Sequence, residues 1–317
     1  MIEHNKTFGA IITDGSIKAP GRSIDGKKWK YKYFFLIGLI ALVIAFVYSI
    51  FSNNNFTSLA RSLKEGNHIF YWMLLVGLLA EIVAGSMGMG YGVICTTVLL
   101  ILNIPPPIIS ASIHSAETFT NAAGSLSHYK MGNVNKKLIY MLAMPAIFGA
   151  VTGALLLTYV GERYAAMTKP AIAIYSLYLG IQILKNAFVK KRITSFKKKI
   201  NIPVLGFAGG FIDSFGGGGW GPLVTGTFIK NGRTPRYVIG SSTVVKFILT
   251  LASAITFIFT IGIHHWNIVA GLLIGGIVAA PFSARFAARL PVKKMFFLVG
   301  LVVIIMSLIT IYRSVFL

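Results

Sequence analysis

Acidic residues are scarce in this chain. Eight Asp and Glu stand against 30 Lys and Arg, and together they make up only 12% of 317 residues. A soluble domain would carry roughly a quarter charged residues. With 55% hydrophobic residues and a mean hydropathy of +0.75, the chain is short of the polar surface that water requires. Cysteine is nearly absent too. Cys95 stands alone within an apolar run, which excludes an intrachain disulfide framework and a cysteine-based metal cluster; it reads as a packed thiol. There is no Walker A sequence, and hence no visible means of hydrolysing ATP. Gly88-Met-Gly-Tyr-Gly92 follows no strand and sits in no Rossmann unit, so it is not a nucleotide motif. The apolar runs hold no nucleophile–base pair and no metal-ligand spacing. An intramembrane enzyme is therefore unsupported, and neither a cofactor nor a metal is expected.

What is present is a series of apolar runs, roughly 33–51, 69–103, 108–128, 138–160, 170–187, 203–229, 237–263, 266–284 and 295–312. Most reach, or nearly reach, the ~20 residues needed to cross a hydrocarbon core of about 30 Å. The net charge of +22 would suggest nucleic acid in a soluble protein. Here the basic residues lie mostly in loops between apolar runs, where topology and anionic headgroups place them. Residues 1–32 form a basic tail. The run that follows is long for a signal peptide and ends in Ser-Asn-Asn-Asn rather than a small-residue cleavage site. It reads as an uncleaved extra helix, 33–51, behind a cytoplasmic tail.

Two runs are broken by glycine, at Gly85-Ser-Met-Gly-Met-Gly-Tyr-Gly92 and at Gly216-Gly-Gly-Gly-Trp-Gly-Pro222. Each glycine costs a helix about 1 kcal/mol relative to alanine, and non-helical backbone survives in a membrane only where protein or a watery cavity surrounds it. Each broken run either crosses once or returns as a re-entrant hairpin. With the N-terminus inside and both runs returning, 24 Lys/Arg fall inside and 5 outside; if both cross, the split is 16 and 13. The positive-inside rule selects the hairpins. The expected fold is all-α and membrane-embedded, with seven spanning helices, two hairpins, and a C-terminus that is periplasmic or external.

The broken runs head two similar stretches, repeat 1 at 69–187 and repeat 2 at 202–314, joined by a basic cytoplasmic linker at 188–201. A shift of 129 residues lays Gly88, Gly90, Tyr91 and Gly92 on Gly217, Gly219, Trp220 and Gly221, and Pro106 on Pro235. The same shift lays Ser112 on Ser241, His114 on Thr243 and Glu117 on Lys246. A shift of 122 then lays Gly149-x-x-x-Gly153 on Gly271-x-x-x-Gly275, pairs that read as helix-packing faces. One hairpin plus three crossings per repeat turns the second repeat upside down. Inverted repeats with interrupted helices are an architecture of secondary transporters.

Helices that restart after the glycines, near 92–103 and 222–229, would meet from opposite sides. Helix N-termini carry partial positive charge and unpaired N–H groups, and glycine lets a ligand approach them. Candidate substrate-binding residues are therefore Gly88, Gly90, Tyr91, Gly92, Gly217, Gly218, Gly219 and Trp220, with Ser112, His114, Ser241, Ser242, Thr243 and Lys246. The alternative is that the glycines only permit close packing, and that the hydroxyls pack helices or bond back to their own backbone. Lys246 is the only cation expected within the membrane, Lys185 being counted with the cytoplasmic linker. It either attracts an anion or forms a buried bridge with its symmetry mate Glu117. Glu81, Glu117 and Asp213 are candidate proton-coupling residues. A passive anion channel on the same scaffold is the alternative function. Candidate partners are the small anion, coupled protons, membrane lipid and a second copy of the chain, with nucleic acid excluded.

Glu81-x-x-x-Gly85-Ser-Met-Gly-Met-Gly-Tyr-Gly-Val, the 106–121 stretch, Gly209-Gly-Phe-Ile-Asp-Ser-Phe-Gly-Gly-Gly-Gly-Trp-Gly-Pro222 and Gly240-Ser-Ser-Thr243 together resemble the TauE/SafE sulfite exporter family. The resemblance covers about 69–312. It implies a bacterial inner-membrane permease for sulfite, thiosulfate, organosulfonates or related small organic anions. The chain departs from the family pattern at His114, where small or hydroxyl residues are common.

Overall fold

Prolines and asparagines mark where the helices begin. Pro106, Pro203 and Pro235 occupy first or second helical positions, where a missing N–H costs nothing. Asn135 Oδ1 accepts the Leu138 N–H at 3.1 Å and Asn201 Oδ1 accepts the Val204 N–H at 3.4 Å, each satisfying a donor that the first turn leaves free. The computed structural model describes residues 68–188, 200–262, 265–287 and 292–316, with scattered positions between 37 and 48. The expected tail at 1–32, most of the extra helix at 33–51 and most of the linker at 188–201 lie outside the described residues. The helices below all belong to one compact unit that begins at Ala41.

Every described element is helical. In chain order they are α1 (His68–Met87), α2 (Tyr91–Ile101), α3 (Pro106–Lys130), α4 (Lys136–Arg163), α5 (Ala165–Phe188), α6 (Ile202–Gly216), a π-helical turn (Gly221–Thr225), α7 (Gly226–Lys230), α8 (Pro235–Thr260), α9 (Trp266–Ala287) and α10 (Val292–Phe316). Five of them (α1, α4, α5, α8 and α10) are long and apolar enough to cross a membrane. Their outward residues are large and apolar, with Phe148, Met167, Phe259 and Leu298 well exposed, as a lipid-facing surface requires. At 25 residues, α3 is about 38 Å long at 1.5 Å per residue. Most of its polar side chains, among them Ser110, His114, Glu117, Thr118 and Thr120, are buried against protein. The chain is thus a multi-pass membrane protein built from helices.

Both glycine breaks fall where expected. α1 and α2 are separated by Gly88–Gly90, with Gly88 at φ 71° and Gly90 at φ 113°, conformations that glycine adopts without the Cβ clash other residues incur. The two arms are unequal: α1 runs 20 residues, as long as a full crossing, and α2 only 11. The second break differs from expectation. The chain restarts not as an α-helix but as a wide turn, in which the Gly226 N–H reaches back five residues to Gly221 O. Regular α-helix follows only from Gly226 to Lys230.

Lipid supplies no hydrophobic drive between helices, so close backbone approach has to do the packing. α1 lies along α9, α6 along α4, α3 along α8 and α5 along α10. A Cβ on Gly149 or Gly153 would strike the backbone of Phe207 or Phe211 on α6, and one on Gly271 or Gly275 would strike Phe70 or Leu74 on α1. The two Gly-x-x-x-Gly pairs are therefore packing faces. Gly153→Leu and Gly275→Leu should each destabilise the fold by at least the 1–3 kcal/mol typical of overpacking, read as a lower unfolding temperature of the purified protein in detergent. Leucine at Gly132, which has open space around it but φ 70°, should cost less.

Candidate functional site

The two glycine breaks touch. A Cβ on Gly92 would collide with Gly217 O and lie 2.8 Å from the Gly218 Cα; one on Gly221 would meet Met89. Only glycine allows backbone to cross backbone this closely. Bare carbonyls at such a crossing must find donors within the protein. Thr96 Oγ1 donates to Gly217 O at 2.9 Å, and Tyr175 Oη donates to Gly218 O at 2.9 Å. Thr96, Gly216, Gly217 and Ser110 also line a crevice beside the crossing that is too narrow for a water molecule.

Around the second restart the side chains form one buried polar chain. Asp213 Oδ1 accepts the Trp220 N–H at 2.8 Å, so a carboxylate already sits at this helix start. The Asp213 Oδ2 lies 3.6 Å from His114 Nε2, and His114 Nδ1 lies 2.8 Å from Ser110 O. Trp220 Nε1 donates to Ser242 Oγ at 2.7 Å, and Ser242 Oγ shares a 2.5 Å bond with Thr225 Oγ1. Ser110 Oγ donates to Ser214 O at 2.5 Å, and Ser214 in turn bonds Ser253. Asp213 Oδ2 and His114 Nε2 are buried without a close hydrogen-bond partner, so this pair retains unused polar capacity.

A second charged group lies between α3 and α8. Lys246 Nζ and Glu117 Oε1 are 2.5 Å apart, with the side chains 15% and 2% exposed. Of the two readings of Lys246, the ion pair is what the structure contains. Glu81 on α1 lies within reach of Thr120 and within the field of Glu117 and Lys246, which adds a second carboxylate to the lysine's surroundings.

The remaining candidates divide. Gly88 packs against Ile239. Gly90 caps α2, and Tyr91 Oη donates to Leu272 O at 3.1 Å. Ser112 is buried on α3. A Cβ on Gly219 would collide with Tyr175 Oη. Ser241 Oγ accepts the Asn135 N–H at the start of α4 at 2.7 Å, and Thr243 Oγ1 donates back to Ile239 O at 2.9 Å. Ser115 likewise bonds back to Ala111 O at 2.7 Å. Sequence reasoning passed over Thr96, Ser110, Tyr175 and Thr225. One available signal was the 129-residue shift itself, which lays Thr96 on Thr225.

Removing one partner of a buried ion pair leaves an uncompensated charge and costs about 3–5 kcal/mol, whereas removing both costs far less. Glu117→Gln should therefore lower the yield and unfolding temperature sharply. Glu117→Gln combined with Lys246→Met should recover most of the loss. Additive losses in the double variant would mean that the two side chains do not act as a pair.

The sulfite exporter TauE/SafE family model matches residues 73–310. "Probable membrane transporter protein YtnM" of Bacillus subtilis is 37% identical over 242 residues, covering 73% of this chain and 79% of that protein. "Probable membrane transporter protein YdhB" of the same organism is 24% identical over 232 residues, covering 69% and 91%. A "Probable membrane transporter protein" of Haemophilus influenzae is 23% identical over 242 residues, covering 70% and 90%. No solved structure matches the chain. A family match that spans both glycine breaks, their contact and the charged pair leaves one conclusion: the chain belongs to the TauE/SafE sulfite exporter family of membrane transporters.

Proposed function

We propose that this transporter is a secondary carrier for a small anion, sulfite or another sulfur oxyanion or organosulfonate, taken up between the two glycine-broken helix starts. The observation that carries this reading is the direct contact of Gly92 with Gly217 and Gly218. Helix starts that meet there aim partial positive charge at one small volume. The sulfur chemistry rests on the family. Packing this close, with both exposed carbonyls satisfied by Thr96 and Tyr175, favours a carrier that must rearrange over a standing pore. In this reading His114 and Asp213 form the polar wall, Ser242, bonded to Thr225, holds Trp220, and Glu81, Glu117 and Asp213 are the candidates for proton coupling, with Lys246 paired to Glu117.

Three junctions support the two-hairpin topology; the inner membrane comes from the family resemblance and the cytoplasmic N-terminus from the positive-inside count. Arg236 bonds Asn133, and also Met131 O at 3.3 Å; Thr158 and Thr260 meet at 3.3 Å; Arg313 NH1 reaches Ile101 O at 3.3 Å. Each joins two loops or helix ends that the hairpin reading puts on one side of the membrane and the all-crossing reading puts on opposite sides. The packing also suits two inverted repeats, because α1 on α9 is matched by α6 on α4, while α3–α8 and α5–α10 pair equivalent helices.

Purified protein in liposomes should move labelled sulfite or a labelled sulfonate, and an imposed pH gradient should change the rate if protons are coupled. Gly90→Val and Gly218→Val should each reduce flux by at least tenfold while the protein still reaches the membrane. Wild-type protein that moves none of a broad panel of small anions would refute the reading, and normal flux in both variants would take the glycine crossing out of it.

A further inference from the structure

A cavity with room for a solute lies away from the glycine crossing. It holds about 420 Å³ and lies where the end of α2, the start of α5 and the end of α10 come together. Its lining includes Leu100, Asn103, Ala166, Lys169 and Arg313. Lys169 Nζ donates to Asn103 Oδ1 at 3.1 Å, and Arg313 NH1 donates to Ile101 O at 3.3 Å. Both cations thus bond neutral oxygens, and neither is in an ion pair among the described residues. An ammonium has three donors and a guanidinium five, so each keeps donors in hand. Asn103 itself sits at φ 64°, a left-handed conformation that asparagine tolerates better than most residues, and its amide oxygen is the one that holds Lys169.

Leu100 also lines the narrow crevice that contains Thr96, Ser110 and Gly217. Leu100 is buried and stands between the roomy cavity and the glycine crossing. We propose that this basic cavity is an oxyanion-binding vestibule, a loading or release station for the transported anion, separated from the crossing by Leu100. The proposal deepens the small-anion reading and rests on it. By the charge-derived topology the vestibule opens on the external face, where Lys169 and Arg313 are two of only five external basic residues.

The ligand chemistry, a small group with negatively charged oxygens, fits a free oxyanion or sulfonate and also the phosphate of a lipid headgroup. Ala166→Cys places a thiol in the lining, and the one native cysteine, Cys95, is buried. Its labelling rate is compared between an anionic methanethiosulfonate carrying an ethylsulfonate and a cationic one carrying a trimethylammonium. Protein in phosphatidylcholine nanodiscs should favour the anionic reagent by about tenfold or more, and Lys169→Gln with Arg313→Gln should erase that preference. Sulfate or ethanesulfonate should protect the thiol. Protection by phosphatidylglycerol in the nanodisc, with none from the free anions, would assign the pocket to a headgroup and overturn its role in transport.

In liposomes the double variant should raise the half-saturating concentration of external anion about tenfold, more than it lowers the maximal rate. Equal labelling by the two reagents, or a preference that survives the double variant, overturns the vestibule. An unchanged half-saturating concentration overturns the station. Because labelling needs no transport, a charge preference without flux for any anion would refute the carrier and leave the oxyanion site standing.

Discussion

Backbone in a bilayer has nowhere to send an unpaired N–H or C=O, and this fold interrupts two helices at one place. The contact between Gly92 and the Gly217–Gly218 peptide is the constraint from which the rest follows. It forbids side chains at the crossing, so glycine must stand on both strands of it. The exposed carbonyls then need donors from other elements. Thr96 of α2 and Tyr175 of α5 provide them. The next shell follows the same logic: Trp220, the first large side chain past the second break, is fully buried and fastened at three points by Asp213, Ser242 and the apolar cluster around Val224 and Leu249.

The polar residues of α3 make sense only against this background. A helix with His114, Glu117, Thr118 and Asn121 would be a poor transmembrane segment by itself. Flanked by α2, α4, α8 and α9, it is largely covered by protein, with Glu117 paired to Lys246, Ser110 bonded to Ser214 and His114 beside Asp213. The outer helices can then be uniformly apolar, and they dock through glycine faces that need no polar chemistry at all.

Much of this was legible in the residues. Glycine runs cannot be lipid-facing helix, so both breaks could be located to within a residue or two, and the Glu117–Lys246 correspondence under the 129-residue shift pointed to the pair that forms. The Gly-x-x-x-Gly spacings named packing faces correctly. What escaped is set by the folded backbone rather than by spacing. Asp213 reaches Trp220 because the chain turns back on itself through four glycines, a path that no periodicity encodes. Tyr175 and Thr96 act on carbonyls 43 and 121 residues away in sequence. The π-helical turn at Gly221–Thr225 has no compositional mark, since Pro222 suits an ordinary helix start equally well. The peptide partners of Ser241 and Thr243, the Asn135 N–H and Ile239 O, are likewise set by the folded backbone.

The carboxylate of Asp213 on the Trp220 N–H has a further consequence. It occupies the position a bound anion would take at that helix start, and it is tethered by only seven residues of chain. Its local concentration is therefore fixed by the fold and cannot be diluted, in the way a linked ligand outcompetes a free one. Any free anion that reaches those amides exchanges with a competitor that never leaves. In the proposed carrier such a competitor would hold occupancy at that helix start below what the bare amides would give.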